Sequence, residues 1–172
     1  MKKIKTIFGA LIVGFIFFGS SIQLNAQVLF EDFAGMTDST TTDVSASLDT
    51  YMGDPGWTGS KVYQSTGKAK IGTSSAKGYI TTPALNLAGN GGNFTIRFKA
   101  RRWPNDQTQM KVFVNTTEYL VTGLNSTDMN EFTVIASGGT NATTVKFEGF
   151  QAANGRFFID DVEIVQSTDP VL

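Results

Sequence analysis

Residues 93–103, NFTIRFKARRW, alternate apolar and polar side chains along most of their length. Phe94, Ile96, Phe98 and Ala100 fall on one side of an extended chain, and Thr95, Arg97, Lys99, Arg101 and Trp103 on the other. A period of two over this distance predicts a strand with one face on a core and one in water. The same pattern spreads outward. Residues 109–115, QMKVFVN, place Met110, Val112 and Val114 on one face, and Lys111, Phe113 and Asn115 on the other. Short apolar runs at 28–33, 61–63, 68–72 and 78–87 precede the central strand, and runs at 118–124, 131–137, 143–150 and 156–164 follow. Between them stand turn signals such as GDPGW at 53–57 and AGNGGN at 88–93, and a polar Thr/Ser-rich loop at 34–51. No segment has a convincing helical period. Strands about ten residues apart predict an all-β fold, a sandwich of two antiparallel sheets of the jelly-roll kind.

The first residues belong to export rather than to the fold. Lys2, Lys3 and Lys5 form a basic start, and residues 7–18, IFGALIVGFIFF, form an uncharged run too short for a span of about 20 residues. Ala26 supplies a small residue at the cut. The expected division is a signal peptide over 1–26, a β-sandwich domain over 27–166, and a tail or linker start over 167–172. Export places the chain outside the cell, at its surface or in the periplasm, with no membrane span after cleavage. The absence of cysteine excludes disulfides and a lipidated-cysteine anchor. The absence of histidine and cysteine excludes a Ser-His-Asp triad, a thiol nucleophile and a His/Cys zinc site. Without the three leader lysines, 11 basic residues face 15 acidic ones, which argues against a nucleic-acid partner.

The last strand, RFFIDDVEI at 156–164, carries two carboxylates at its centre. Simple alternation groups Phe158, Asp160, Val162 and Ile164 on one face and Phe157, Ile159, Asp161 and Glu163 on the other. Asp160 then interrupts an apolar face, as Glu31 does between Leu29 and Phe33 in the first strand. An unpaired ionised group there costs several kcal/mol unless something compensates it. First and last strands of a sandwich are often neighbours. A cation between the two acids is one solution, and Ca2+ suits an all-oxygen donor set. An ion pair with Lys68, Lys70 or Arg156, or an exposed bulge, is the other.

In their order, VLFEDFAG, GW, VYQSTGKAKIG, GYITTPALNL, NFTIRFKARRWPND, MKVFV and RFFIDDVEI resemble the secreted jelly-roll modules of Bacteroidetes, of the choice-of-anchor J and cleaved-adhesin type. More distantly, the FED start and IDDV end resemble MAM domains and family 4 and 22 carbohydrate-binding modules. The resemblance implies a structural calcium held by Glu31 and Asp160, with Asp32 or Asp161 as further ligands. It also implies that Trp57 packs structurally.

For function, the outward row Arg97, Lys99, Arg101 and Trp103, taken beside Phe113 and Lys111, suits a sugar platform: an aromatic face with polar donors around it. The expected function is a secreted or surface-associated, non-catalytic module for a glycan or a cell-surface or matrix ligand. A structural or adhesive component working through protein–protein contacts is the second reading. A carboxylate-based glycan-active enzyme is the third, since Asp106 and Glu118 stand isolated and the Glu31, Asp160 and Asp161 group reads as metal ligation. Asp38-Ser39-Thr40 resembles a bacterial O-glycosylation motif in the polar loop. No oligomeric state is indicated.

Overall fold

Each apolar run between residues 28 and 164 becomes a strand in the computed structural model, which describes residues 25–167. The strands are β1 (Asn25–Glu31), β2 (Thr58–Ser60), β3 (Val62–Gln64), β4 (Ala69–Ile71), β5 (Tyr79–Thr81) and β6 (Phe94–Arg102). They continue with β7 (Gln109–Val114), β8 (Thr117–Thr122), β9 (Asn130–Ala136), β10 (Val145–Gly149) and β11 (Phe157–Ser167). The expected leader over 1–26 lies outside the described residues except for Asn25 and Ala26, which open β1, and the tail beyond Ser167 lies outside them too. Among the described residues no helix is long and apolar enough to cross a membrane.

Every pairing between these strands is antiparallel, and they form a sandwich of two sheets. One sheet runs β3-β4-β11-β6-β9, with β1 added, and the other β2-β5-β10-β7-β8. β11 is the spine of the first sheet. β6 lies along one side of it, while β4 and then β1 share the other side: β4 pairs with Phe157–Ile159 and β1 with the stretch from Val162 onward. First and last strands are therefore neighbours, joined by backbone hydrogen bonds.

The alternation in β6 holds. Phe94, Ile96, Phe98 and Ala100 are buried, as are Met110, Val112 and Val114 of β7. Phe98 joins the two sheets, edge-on to Phe147 at 5.1 Å and stacked with Phe132 at 5.7 Å. Each such side chain, fully buried, contributes roughly 1.5–3 kcal/mol. Trp57 is buried edge-on to Phe33 at 5.9 Å.

In β11 simple alternation fails. Against β6, Asp160 stands opposite Lys99 and Glu163 opposite Arg97, so three steps on one strand answer two on the other. The extra residue is a β-bulge, with Asp161 in the left-handed region at φ 46°. The bulge reverses the phase. Phe157 and Ile159 face the core before it, and Val162 and Ile164 after it. Asp160 is opposite outward-facing Lys99, so it belongs to the water-facing side with Phe158 and Glu163. The reading that set Asp160 on an apolar face is corrected by this one inserted residue.

The polar stretch after β1 is more ordered than its composition suggests. Met36, Val44 and Leu48 are buried, and a 3-10 turn forms at Ser45–Thr50. Its backbone runs beside β3: Thr40 and Val44 N–H groups donate to the Gln64 and Val62 carbonyls at 3.2 and 2.8 Å. Ser39 bridges to Ser65. The segment so becomes a raised wall at the edge of the six-stranded sheet.

Candidate functional site: the outer face of the six-stranded sheet

A row of side chains crosses four strands on this face. Tyr63 of β3 stands opposite Lys70 of β4, Lys70 opposite Phe158 of β11, and Phe158 opposite Arg101 of β6. Phe158 points away from the core yet is only 3 % exposed, because its neighbours cover it. Trp103 stacks on it at 5.5 Å with 14° between the planes, and the Arg101 guanidinium lies 3.8 Å from its ring centre. The Lys70 ammonium is 4.1 Å from the Tyr63 ring and 5.6 Å from that of Trp103.

Trp103 is held in place by the turn that follows it. Its N–H donates to the Arg156 carbonyl at 3.1 Å. The buried Asp106 carboxylate accepts three hydrogen bonds from Arg156: from the backbone N–H at 3.0 Å, and from Nε and Nη2 at 2.8 Å each. These bonds hold the Arg156 guanidinium above its ordinary range. They also place its Cζ 4.8 Å from the Trp103 ring. Asp106, isolated in the sequence, is the clamp that seats Trp103.

Above the row opens a groove of about 370 Å³. Trp103, Phe158, Lys70 and Arg101 form its floor and one side. Ser39, Thr40 and Thr41 of the raised segment, with Gln64 and Ser65, form the other. Hydroxyl-bearing residues thus line the groove together with aromatic rings and two cations, in a volume of the size that small ligands occupy. Further along the face a smaller hollow of about 250 Å³ is lined by Phe30, Glu131 and paired charges. There Arg97 meets Glu163 at 3.1 Å and Lys99 meets Asp161 at 2.7 Å.

The structure divides the residues expected to bind ligand. Arg101 and Trp103 share the groove, while Arg97 and Lys99 belong to the paired charges beyond it. Phe113 is not beside them. It lies on β7 in the other sheet, under the Lys146 ammonium at 4.2 Å, and Lys111 of that strand pairs with Glu118 at 3.0 Å. Consecutive strands β6 and β7 lie in opposite sheets, so adjacency in sequence misplaced Phe113. Sequence reasoning also missed Tyr63, Lys70 and Phe158 as one row with Arg101. Parity within their short strands was the available signal, but nothing local announces which strands become neighbours.

The four acids expected to hold calcium do not gather. Glu31 is 3 % exposed and inward-facing, opposite core residue Val162. Its Oε1 accepts the Phe33 N–H at 2.9 Å and its Oε2 the Gly53 N–H at 2.8 Å. Asp32 is exposed and accepts the Ala34 N–H at 3.0 Å. Asp160 and Asp161 lie on the opposite face of the sheet, Asp160 accepting the Asp161 N–H at 2.9 Å. Among the described residues no group of three or more acidic side chains could hold a metal ion. A calcium ion asks for six to eight oxygens, whereas the Glu31 carboxylate is met by N–H groups. The donor set does not fit the ion.

No protein-family model and no curated protein matches the chain by sequence. Solved structures do match in fold. The CBM22-1 xylan-binding domain of Paenibacillus barcinonensis Xyn10C superposes with a TM-score of 0.52 at 11% identity, over 88% of this chain and 100% of that one. The Clostridium thermocellum xylanase 10B CBM22-1-GH10 modules, complexed with xylohexaose, superpose with a TM-score of 0.52 at 13% identity, over 85% of this chain. This chain spans 29% of that longer protein. The K3 cleaved adhesin domain of Lys-gingipain from Porphyromonas gingivalis gives a TM-score of 0.45 at 19% identity, over 82% of this chain and 98% of that one. At these identities the likeness is one of fold: the chain has the jelly-roll sandwich of carbohydrate-binding modules.

Proposed function

We propose that the chain is an exported, non-catalytic binding module that takes a glycan in the groove beside Trp103. The groove itself carries this reading. Sugars present C–H faces that pack on aromatic rings and hydroxyls that exchange hydrogen bonds with Ser, Thr and amide groups. Trp103 supplies the first, and Ser39, Thr40, Thr41 and Ser65 the second. The xylan-binding modules that share the fold make a glycan the natural ligand class to test. The buried carboxylates have structural partners: Glu31 the backbone, Asp106 Arg156, and Glu148 Lys77 and Lys146. Calcium plays no part in this reading.

Binding of the folded chain to a panel of soluble polysaccharides, followed by calorimetry or affinity electrophoresis, tests the proposal. Trp103→Ala weakens binding about tenfold or more, the loss of one stacking contact and of the support it gives the floor. Thermal melting of the variant checks that it folds. Undiminished affinity in a folded Trp103→Ala protein rejects the site.

The second reading, adhesion through protein contacts, rests on the free edge of the same sheet. Among the described residues β9 is an edge strand of that sheet, and it carries Ile135 at 80 % exposure. An exposed apolar residue on an unpaired edge invites another strand. Concentration-dependent self-association, abolished by Ile135→Lys, would favour it.

A further inference from the structure

We infer that the ligand of this groove is an acidic glycan, whose carboxylate or sulfate oxygens are held by Lys70 and Arg101. The inference rests on the groove being the binding site and adds the charge of what it binds.

Charge balance on the face points there. Arg97 and Lys99 on this face, and Arg156 just before β11, each meet a carboxylate, at 3.1, 2.7 and 2.8 Å. Among the described residues Lys70 and Arg101 meet none. Both are only half exposed. Arg101 gives one N–H to the Ser126 carbonyl at 3.3 Å, and beyond that the two cations rest on aromatic rings. Ring contacts of this kind contribute about 0.5–1 kcal/mol and leave the charge unneutralised. Burial pushes the Lys70 ammonium below its ordinary range, with Arg156 adding to it, and burial pushes the Arg101 guanidinium down as well. An oxyanion entering the groove would reverse that penalty for both.

Geometry agrees. Lys70 and Arg101 are the two cross-strand neighbours of Phe158, so their backbones stand about 10 Å apart, two strand spacings. Trp103 and Phe158 lie with them on the groove floor. One polymer segment can rest on Trp103 and meet both cations. Arg offers a planar fork and Lys a mobile point charge, and each accepts carboxylate or sulfate. The rest of the molecule opposes polyanions, since the chain after residue 26 has 11 basic residues against 15 acidic ones. Attraction of an acidic polymer therefore has to be local to this groove rather than diffuse.

The experiment compares matched polymers on the folded chain: polygalacturonate with its carboxyl-reduced form, and dextran sulfate with dextran. Lys70→Gln and Arg101→Gln are measured beside Lys111→Gln, which removes an equal charge from the other sheet, and beside Trp103→Ala. Melting curves confirm that each protein folds, and Lys70→Arg serves as the conservative rescue. Binding of an acidic polymer but not its neutral counterpart is expected. Lys70→Gln should weaken it about tenfold or more, as for a lost charge-assisted hydrogen bond, while Lys111→Gln leaves it unchanged. Which acidic polymer binds then distinguishes carboxylate from sulfate. Equal binding of acidic and neutral forms, weakened by Trp103→Ala, overturns the inference and leaves the site standing. Acidic binding insensitive to both Lys70→Gln and Arg101→Gln also overturns it. No binding to any polymer of a neutral and acidic panel overturns the site and the inference together.

Discussion

Glu31 and Glu148 are both nearly closed off from water, at 3 % and 8 % exposure, yet they respond to pH in opposite senses. For Glu31 burial dominates. The amide hydrogen bonds from Gly53 and Phe33 oppose it incompletely, Asp32 and Asp54 add repulsion, and its carboxyl is held above the usual range. For Glu148 burial also pushes upward, but Lys146 and Lys77, each 2.7 Å away, outweigh it and the carboxyl is held below. The signs follow from proton linkage. Glu31 lends stability that is complete below the ordinary glutamate range and is lost as pH rises through its elevated value. Glu148 lends stability that is present above the ordinary range and is lost as pH falls through its lowered value. Melting temperatures between pH 3 and 8 should therefore diverge. Relative to the unaltered chain, Glu31→Gln gains ground as pH rises. Glu148→Gln loses ground, by about 1–2 kcal/mol at neutral pH, a figure reduced because both lysines are partly in water. Parallel curves for either variant would refute its assignment. The burial of Glu31 was legible in the sequence, because Leu29 and Phe33 flank it at the right parity. What meets it was not legible, since Gly53 arrives from a loop 22 positions away.

At the scale of the element, β11 decides how far alternation can be trusted. Its apolar residues announce a strand, but the inserted residue at the Asp160–Asp161 pair moves every later side chain to the other face. The only local hint is chemical: Asp tolerates the left-handed region better than most residues. That conformation gives a direct test by urea unfolding. Asp161→Val should cost about 1–2 kcal/mol, because a branched side chain is strained at φ 46°. Asp161→Gly should stay within about 1 kcal/mol of the parent, since backbone relief offsets the loss of a Lys99 pair that is open to solvent. Equal costs for the two substitutions would mean that the bulge carries no strain. The turn after β6 teaches the same lesson about range. Trp103 and Pro104 mark its start, while the Asp106 clamp depends on Arg156, 50 positions on. Asp106→Ala should cost about 2–4 kcal/mol, because it strands a half-buried guanidinium, and it should loosen Trp103 as well. A near-neutral substitution, with Trp103 fluorescence unmoved, would remove the clamp from the account.

At the scale of the whole molecule, strand identity was readable almost everywhere and strand placement much less so. The strands were legible because each needs only its own period. The assignment of β7 to the opposite sheet from β6 depends on how the chain crosses the sandwich, which no window of sequence records. The joining of the two ends shows the difference. The sequence argument weighed an ion against an ion pair or an exposed bulge to reconcile an acid on the apolar face of each end strand. In the fold, Glu31 faces inward among amides and Asp160 faces outward, and β1 is fastened to β11 by its backbone pairing. The pairing of β1 with β11 is what fastens the ends among the described residues. Melting in millimolar calcium and in excess chelator should then agree to within about 1 °C. An ion bound only by the folded state and present at a hundred times its dissociation constant would add about 2.7 kcal/mol, or roughly 5–10 °C for a domain of this size. The two cases are well separated by an ordinary melting curve. A rise of that size would show that the folded chain does bind the ion and would overturn this account of the joined ends.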